Sequence, residues 1–299
     1  MSQAVAAAEQ ALDQGDLDLA LHRLQDGVRS APADVKLRIF LFQLLCVRGD
    51  WSRALKQLQV CGELDDGTLA MVNTYREAIQ CEAVREAVFS GQTTPIVMGA
   101  PQAWVAQLVE ALMADARGEP QLAAHLRAQA LEAAPTTAGT LNGEAFHWIA
   151  DADSRLGPVL EVIVNGRYAW VPFANLARVT FEAPSDLRDL VWVPAALEFP
   201  HGGGTVALVP TRYAPMPEGA SAPLRLSRLT EWLELGEGQY RGLGQRLLST
   251  DGPEVGLLEA RVGGDRAHRR RCHVDEHDAL EAVGEEPGEL AGEVSGAAG

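Results

Sequence analysis

Apolar residues along the first part of the chain recur at helical spacing. GDLDLALHRLQDGV from Gly15 and GDWSRALKQLQV from Gly49 set Ala20, Leu21 and Leu24 against Ala54, Leu55 and Leu58, three and four residues apart as one face of an α-helix requires. The two copies lie 34 residues apart, the period of tetratricopeptide helix pairs. Gly15 matches Gly49 and Asp16 matches Asp50 at that offset. Gly closes one helix, Asp opens the next, and a small Ala at the crossing lets two helices approach closely. A weaker third copy begins at Gly118 and Glu119, carries Ala123, and reaches Pro135, which follows its glycine by 17 residues as Pro32 follows Gly15. Between the copies, residues 67–91 predict a long helix with Leu69, Val72, Ile79, Ala83 and Val84 inward and Gly91 as its stop. TTPIVMGAP then connects to a further helix carrying Trp104, Leu108, Leu112 and Met113. Residues 1–135 therefore read as TPR-like α-helical repeats.

After Pro135 the period changes. TTAGTLNGEAF reads as a turn-rich linker, and beyond it β-branched and aromatic residues alternate with polar ones between Gly and Pro breaks. PVLEVIV, RYAWVPF, ARVTF, DLVWVPA, TVALVP, RLSRLTEWLEL and VGLLEARV predict strands, while QYRGLGQRLLST predicts a helix. The fold class that follows is multidomain, α then α+β: helical repeats over 1–135 and a β-rich α+β domain over 136–262. Residues 263–299, rich in Glu, Gly and Ala and poor in large apolar side chains, predict a disordered acidic tail with a basic cluster at Arg269, Arg270 and Arg271.

Charge narrows the function. With 25 Lys plus Arg against 41 Asp plus Glu, the formal charge is −16, which argues against binding a phosphate backbone. The first residues lack the cationic opening and apolar run of a secretory signal, and the most apolar stretch, IFLFQLLCV, is shorter than the ~20 residues a bilayer requires. Cys46, Cys61, Cys81 and Cys272 show no CxxC spacing and predict reduced thiols. A cytoplasmic protein, neither membrane-bound nor nucleic-acid-bound, is the expectation.

Candidate chemistry is sparse. IADADSRLGP brings Asp151, Asp153, Ser154 and Arg155 together, a polar cluster suited either to cation binding or acid–base work, or to a turn whose Asp side chains cap amides and pair with Arg; the turn is favoured. HGGG from His201 matches the letters of a lipase oxyanion loop, but no G-x-S-x-G elbow accompanies it, so a loop between strands is expected. His268, Cys272, His273 and His277 have helical metal-ligand spacing beside three arginines that disfavour a cation, so a solvated stretch is expected there. GEGQYR and GLGQRL lack the last glycine of a dinucleotide fingerprint. Trp104, Trp148, Trp170, Trp192 and Trp232 are expected in the core, like Met71 and Tyr75 on the long helix. No catalytic residue, metal or cofactor is predicted.

KLRIFLFQLLCVRGDW, TLAMVNTYREA, FHWIADADSRLGPVLEVIVNGRYAWVPF, APSDLRDLVWVPA, LVPTRY and RLTEWLELGEGQYRGLGQRLL closely resemble the ImpE family, also called SciE or TagJ, over roughly residues 12–262. The resemblance implies helical repeats followed by an α+β domain. It also implies a non-enzymatic accessory role in bacterial type VI secretion, with two partners: the N-terminal helix of the small contractile-sheath subunit and the AAA+ ATPase that disassembles contracted sheaths. A helix laid against the repeats or into the cleft between the domains is the expected mode of binding, with Phe40, Gln43, Tyr75 and Arg76 as its candidate residues. The alternatives are an enzyme, metal-assisted or acid–base, centred on Asp151 and Asp153, and a structural sheath or baseplate component.

Overall fold

The computed structural model describes residues 3–100 and 102–260. Its helices are α1 (Gln3–Asp13), α2 (Leu17–Ser30), α3 (Val35–Arg48), α4 (Trp51–Leu64), α5 (Leu69–Phe89), α6 (Ala103–Ala116), α7 (Pro120–Ala133) and the short α8 (Ala222–Arg225). Gly15, Gly49 and Gly118 end α1, α3 and α6 in the left-handed region, with φ of 75°, 76° and 75°. A Cβ there costs about 1–2 kcal/mol, hence the glycines. Each following amide turns back onto its helix: Asp16 to the Ala11 carbonyl (2.8 Å), Asp50 to Leu45 (2.9 Å) and Glu119 to Ala114 (3.0 Å). Asp16 and Asp50 then start the next helix by accepting from the Leu19 and Arg53 amides at 2.8 and 3.3 Å. In the third copy Glu119 makes no such bond, and Pro120, with its fixed φ, opens α7 instead. Ala20, Ala54 and Ala123 are all buried where the paired helices meet.

The 21-residue α5 buries Val72, Tyr75, Ala78, Ile79, Cys81, Arg85, Val88 and Phe89. The expectation held for Val72 and Ile79, whereas Leu69, Ala83 and Val84 face outward. The buried arc is rotated because the strands cover it, and one of its residues is an arginine, invisible to an apolar pattern.

The strands are β1 (Ile96–Val97), β2 (Gly139–Leu141), β3 (Glu144–Phe146), β4 (Ile149–Asp151), β5 (Val159–Val164), β6 (Arg167–Pro172), β7 (Arg178–Phe181), β8 (Trp192–Glu198), β9 (Gly204–Pro210), β10 (Thr230–Gly236), β11 (Gln239–Gly244), β12 (Leu247–Thr250) and β13 (Val255–Gly256). The largest sheet has the order β1-β6-β5-β9-β8-β7, and β1 is its parallel edge, contributed by the connector between α5 and α6. β5 and β6 join through Asn165-Gly166, both at positive φ as a two-residue hairpin requires. Both faces of this sheet are covered, which explains the nearly unbroken apolar run of β5. Val159, Ile163, Trp170 and Trp192 pack with the helices, while Leu160, Val162, Ala169 and Val171 form a second cluster with Leu248 and Leu257. Glu161 therefore points toward α5. The described residues make one compact unit.

Four expectations need correction. QYRGLGQRLLST is not a helix: it forms β11 and β12, because Gly242 and Gly244 weaken a helix and Gly242 admits the Tyr213 ring, 2.1 Å from where a Cβ would stand. The linker TTAGTLNGEAF is a hairpin, β2 and β3, turned by Asn142-Gly143. In RLSRLTEWLEL only the second half is extended, after a turn at Ser227 with positive φ. VGLLEARV is extended only at Val255–Gly256 among the described residues. The expected tail, 263–299, with its His268, Cys272, His273 and His277, lies outside the described residues.

Candidate functional site

The loop after β4 folds on its own side chains. Asp151 Oδ1 accepts from the Asp153 amide (2.9 Å), and Asp153 Oδ1 from the Arg155 amide (2.9 Å), while Arg155 also chelates Asp153 through Nε and Nη2 (2.9 and 2.6 Å). Ser154 exchanges bonds with the backbone of Tyr240 on β11, and the Gly242 amide donates to Asp153 Oδ2 at 2.9 Å. These bonds fold the segment into a local turn held by its own Asp and Arg side chains. Asp151, Asp153 and Arg155 are buried.

The cluster continues into a network that spans the two halves. Arg246, between β11 and β12, donates to Asp151 Oδ2 (2.8 Å) and lies 3.4 Å from Glu161. Glu161 takes a two-pronged contact from Arg85 of α5 (2.7 and 3.0 Å) and the Tyr168 hydroxyl (2.6 Å), which in turn accepts from Trp170 Nε1. Arg85 reaches on to the Arg212 carbonyl (2.6 Å), and the Arg155 and Arg85 guanidiniums lie 4.7 and 5.7 Å from the Phe89 ring centre. Two carboxylates in this network are pushed apart in acidity. Burial raises Asp151 to about 6 despite Arg246, with the Asp153 charge adding. Burial also acts to raise Glu161, but the Arg85 and Arg246 charges outweigh it and hold the carboxyl at about 2.

Every oxygen of the two aspartates accepts at least one hydrogen bond from the protein itself, and the arrangement ties the fold together. Among the described residues no group of three His, Cys, Asp or Glu is placed to hold a metal ion. The HGGG segment is the loop between β8 and β9, its Gly202 amide donating to the Phe199 carbonyl.

Two other concave features stand outside this network, the first of them between the halves. A polar cleft of about 430 Å³ lies between Arg48, Trp51 and Glu86 on one side and Tyr213, Met216 and Glu218 on the other. Behind it Arg212 donates to the Val47 and Cys46 carbonyls and Arg225 to that of Arg48, neutralising the C-terminal end of α3. Burial, with Glu82 opposing and the Arg85 and Arg225 charges adding, lowers Arg212 to about 10. A groove of about 460 Å³ runs along α6, where Val105, Val109 and Met113 repeat every four residues beside Pro95 and Val97.

The four residues expected to meet a partner do not share a surface. Gln43 and Tyr75 are buried, Tyr75 between the rings of Phe42 and Trp192, Phe40 is half-buried, and Arg76 is exposed. The reason is that α3 and α5 are inner helices: α3 packs against α2, α4 and the turn at Leu187–Leu190, and α5 against α4 and β6. Trp104, Trp170 and Trp192 are core residues as expected, but Trp148 and Trp232 are exposed. Sequence reasoning missed Arg85, Glu161 and Arg246, which stand far apart in the chain and carry no local signal.

Comparison with known proteins adds a second line. The model of the ImpE protein family matches residues 143–262. The type VI secretion system accessory component TagJ of Pseudomonas aeruginosa is 54% identical over 254 residues, 85% of this chain and 89% of that one. The crystal structure of protein VPA1032 from Vibrio parahaemolyticus, 23% identical, superposes with a TM-score of 0.78 over 87% of this chain and 98% of its own, a likeness of fold.

Proposed function

Because this chain belongs to the ImpE family of type VI secretion accessory proteins, we propose that it is a non-catalytic cytoplasmic adaptor. In this reading it takes up the N-terminal helix of the small sheath subunit and links it to the AAA+ ATPase that disassembles contracted sheaths. The observation that carries the proposal is the 54% identity to an accessory component along 89% of its length. The burial and internal pairing of the Asp151 and Asp153 carboxylates support it, since both face donors of the protein instead of solvent. For the helix the α6 groove is the fitting place: an amphipathic helix lays its apolar face into such a channel, and Val105, Val109 and Met113 present matching periodic side chains. Tethering the ATPase this way raises its local concentration at the sheath without altering its chemistry.

Calorimetric titration with the N-terminal helix peptide of the small sheath subunit from the same gene cluster tests this. Saturable binding is expected, lost when the peptide's apolar face is changed to Asp and weakened at least ~10-fold by Val109→Asp, the ~1.4 kcal/mol of a well-buried contact. Absence of binding at high micromolar peptide overturns the helix-in-groove mechanism. For the second partner, cosedimentation of the ATPase with contracted sheaths is expected to rise when this protein is added, and an unchanged fraction removes the linking role.

A further inference from the structure

The strand β10 has a pairing partner on one side only. It forms a two-stranded sheet with β11 and presents seven residues, Thr230–Gly236, along an open edge. The other sheet edges among the described residues are shorter: β1 and β13 have two residues each, β2, β3 and β4 three each, β7 four, and β11 six, the last with its outward groups bonded to Ser154, Asp153 and Tyr213. Native proteins blunt a long open edge with Lys, Pro or a cover. Here Glu231–Glu234 are all exposed, while α7 packs beside the hairpin and its Arg127 bonds Gln239 at the turn end of β11.

The exposed edge is also apolar. Trp232, Leu233 and Tyr240 are 36%, 40% and 42% exposed, and Leu229 at the strand's start 42%. Trp232 is propped by the Tyr213 ring, 5.6 Å away, so its indole stands at the surface in a fixed position. The register decides which backbone groups are free. The Gln245 amide donates to the Leu229 carbonyl, and alternation along an antiparallel ladder then turns the Glu231 and Leu233 groups toward β11 and those of Trp232 and Glu234 outward. The side chains flanking these free groups are acidic: Glu231 and Glu234 on the strand, Glu237 at the turn.

We propose that the open edge of β10 receives an extended basic segment of a partner polypeptide as an added strand. Main-chain bonds to Trp232 and Glu234 would supply affinity, as in strand addition generally, while Glu231 and Glu234 select cationic side chains and Trp232 and Leu233 take apolar ones on alternate faces. A second copy of this chain is a poorer occupant, because two-fold antiparallel pairing of the outward groups centres on Trp232 or Leu233 and sets Glu231 or Glu234 diagonally beside its own copy, acid against acid. The inference is independent of the α6 groove.

The probe is a labelled, end-blocked hexapeptide Val-Lys-Val-Val-Lys-Val, which sets Lys opposite Glu231 and Glu234 and Val opposite Trp232 and Leu233, N-methylated on every second residue so that it can pair along one edge only. Its binding to the full chain is followed by fluorescence anisotropy, and the exchange of the Trp232 and Glu234 amides by NMR. Saturable binding with slowed exchange at those two amides is expected, at least ~10-fold weaker for the peptide methylated at every amide. The double variant Glu231→Lys with Glu234→Lys is expected to lose at least ~10-fold for the Lys probe and to gain for its Glu counterpart. No binding, equal affinity for the fully methylated peptide, or indifference to the charge reversal overturns the proposal. So does a dimer in sedimentation that Trp232→Pro, which removes an outward N–H of the edge, dissociates; that would assign the edge to a second copy.

Discussion

Replacing Glu161 by Gln removes the charge at the centre of the buried network while keeping its volume. The carboxyl is held at about 2 against an ordinary 4.5: burial opposes this, and the Arg85 and Arg246 charges win. At ~1.4 kcal/mol per tenfold change in proton affinity the gap corresponds to about 3 kcal/mol. Mutational experience with broken buried pairs, ~3–5 kcal/mol, agrees, because two guanidiniums are left undercompensated in the interior. The sign with pH follows from linkage. A depressed carboxyl contributes its full stability above 4.5 and loses it as pH falls toward 2, so the cost of Glu161→Gln is expected to shrink from about 3 kcal/mol at pH 7 to about 1 kcal/mol at pH 3. Urea unfolding of both proteins at the two pH values, read by tryptophan fluorescence, measures it, since Trp170 adjoins the network. A cost below ~1 kcal/mol at pH 7, or one equal at both pH values, refutes the reasoning.

Asp151→Asn acts in the opposite sense: with the folded-state value raised from 3.8 to about 6, this carboxyl's contribution is expected to fall by about 2 kcal/mol as pH rises from 4 to 6, and the variant to lack that decline in the same unfolding experiment. Ala54→Leu puts extra methyl groups at a fully buried crossing and is expected to cost about 1–3 kcal/mol, lowering the melting temperature in calorimetry. Gly49→Ala meets a φ of 76° and is expected to cost about 1–2 kcal/mol, whereas Asp50→Ala, which removes a cap, costs about 1 kcal/mol; thermal melts rank them.

The repeats were legible because their signals are local. A left-handed turn demands Gly, the next helix a capping Asp, and a close crossing Ala, so three residue types at one spacing encode a helix pair. The strands of the largest sheet were legible for the same reason, β-branched runs between turns. QYRGLGQRLLST was misread because its apolar residues also suit a helical period; its glycines were the better guide, one marking the place where Tyr213 lies against the backbone. The candidate site was half legible. Asp151, Asp153 and Arg155 announce a self-bonded turn, but Arg85 and Arg246 sit in stretches that read as ordinary helix faces, and only the fold brings them to Glu161. The outward residues of α5 were misplaced for a related reason, since its buried arc is set by partners more than 70 residues away.

The contact between α5 and the sheet also governs how the chain is made. Tyr75, Arg85 and Phe89 leave the ribosome well before Trp170 and Trp192, the side chains that cover them. At ~5–20 residues per second the delay is on the order of 5–20 s, long compared with helix formation. Through that interval the nascent repeats display an aromatic, arginine-bearing seam with nothing against it. Translation thus creates a window for chaperone capture, and pauses encoded between the two halves would lengthen it.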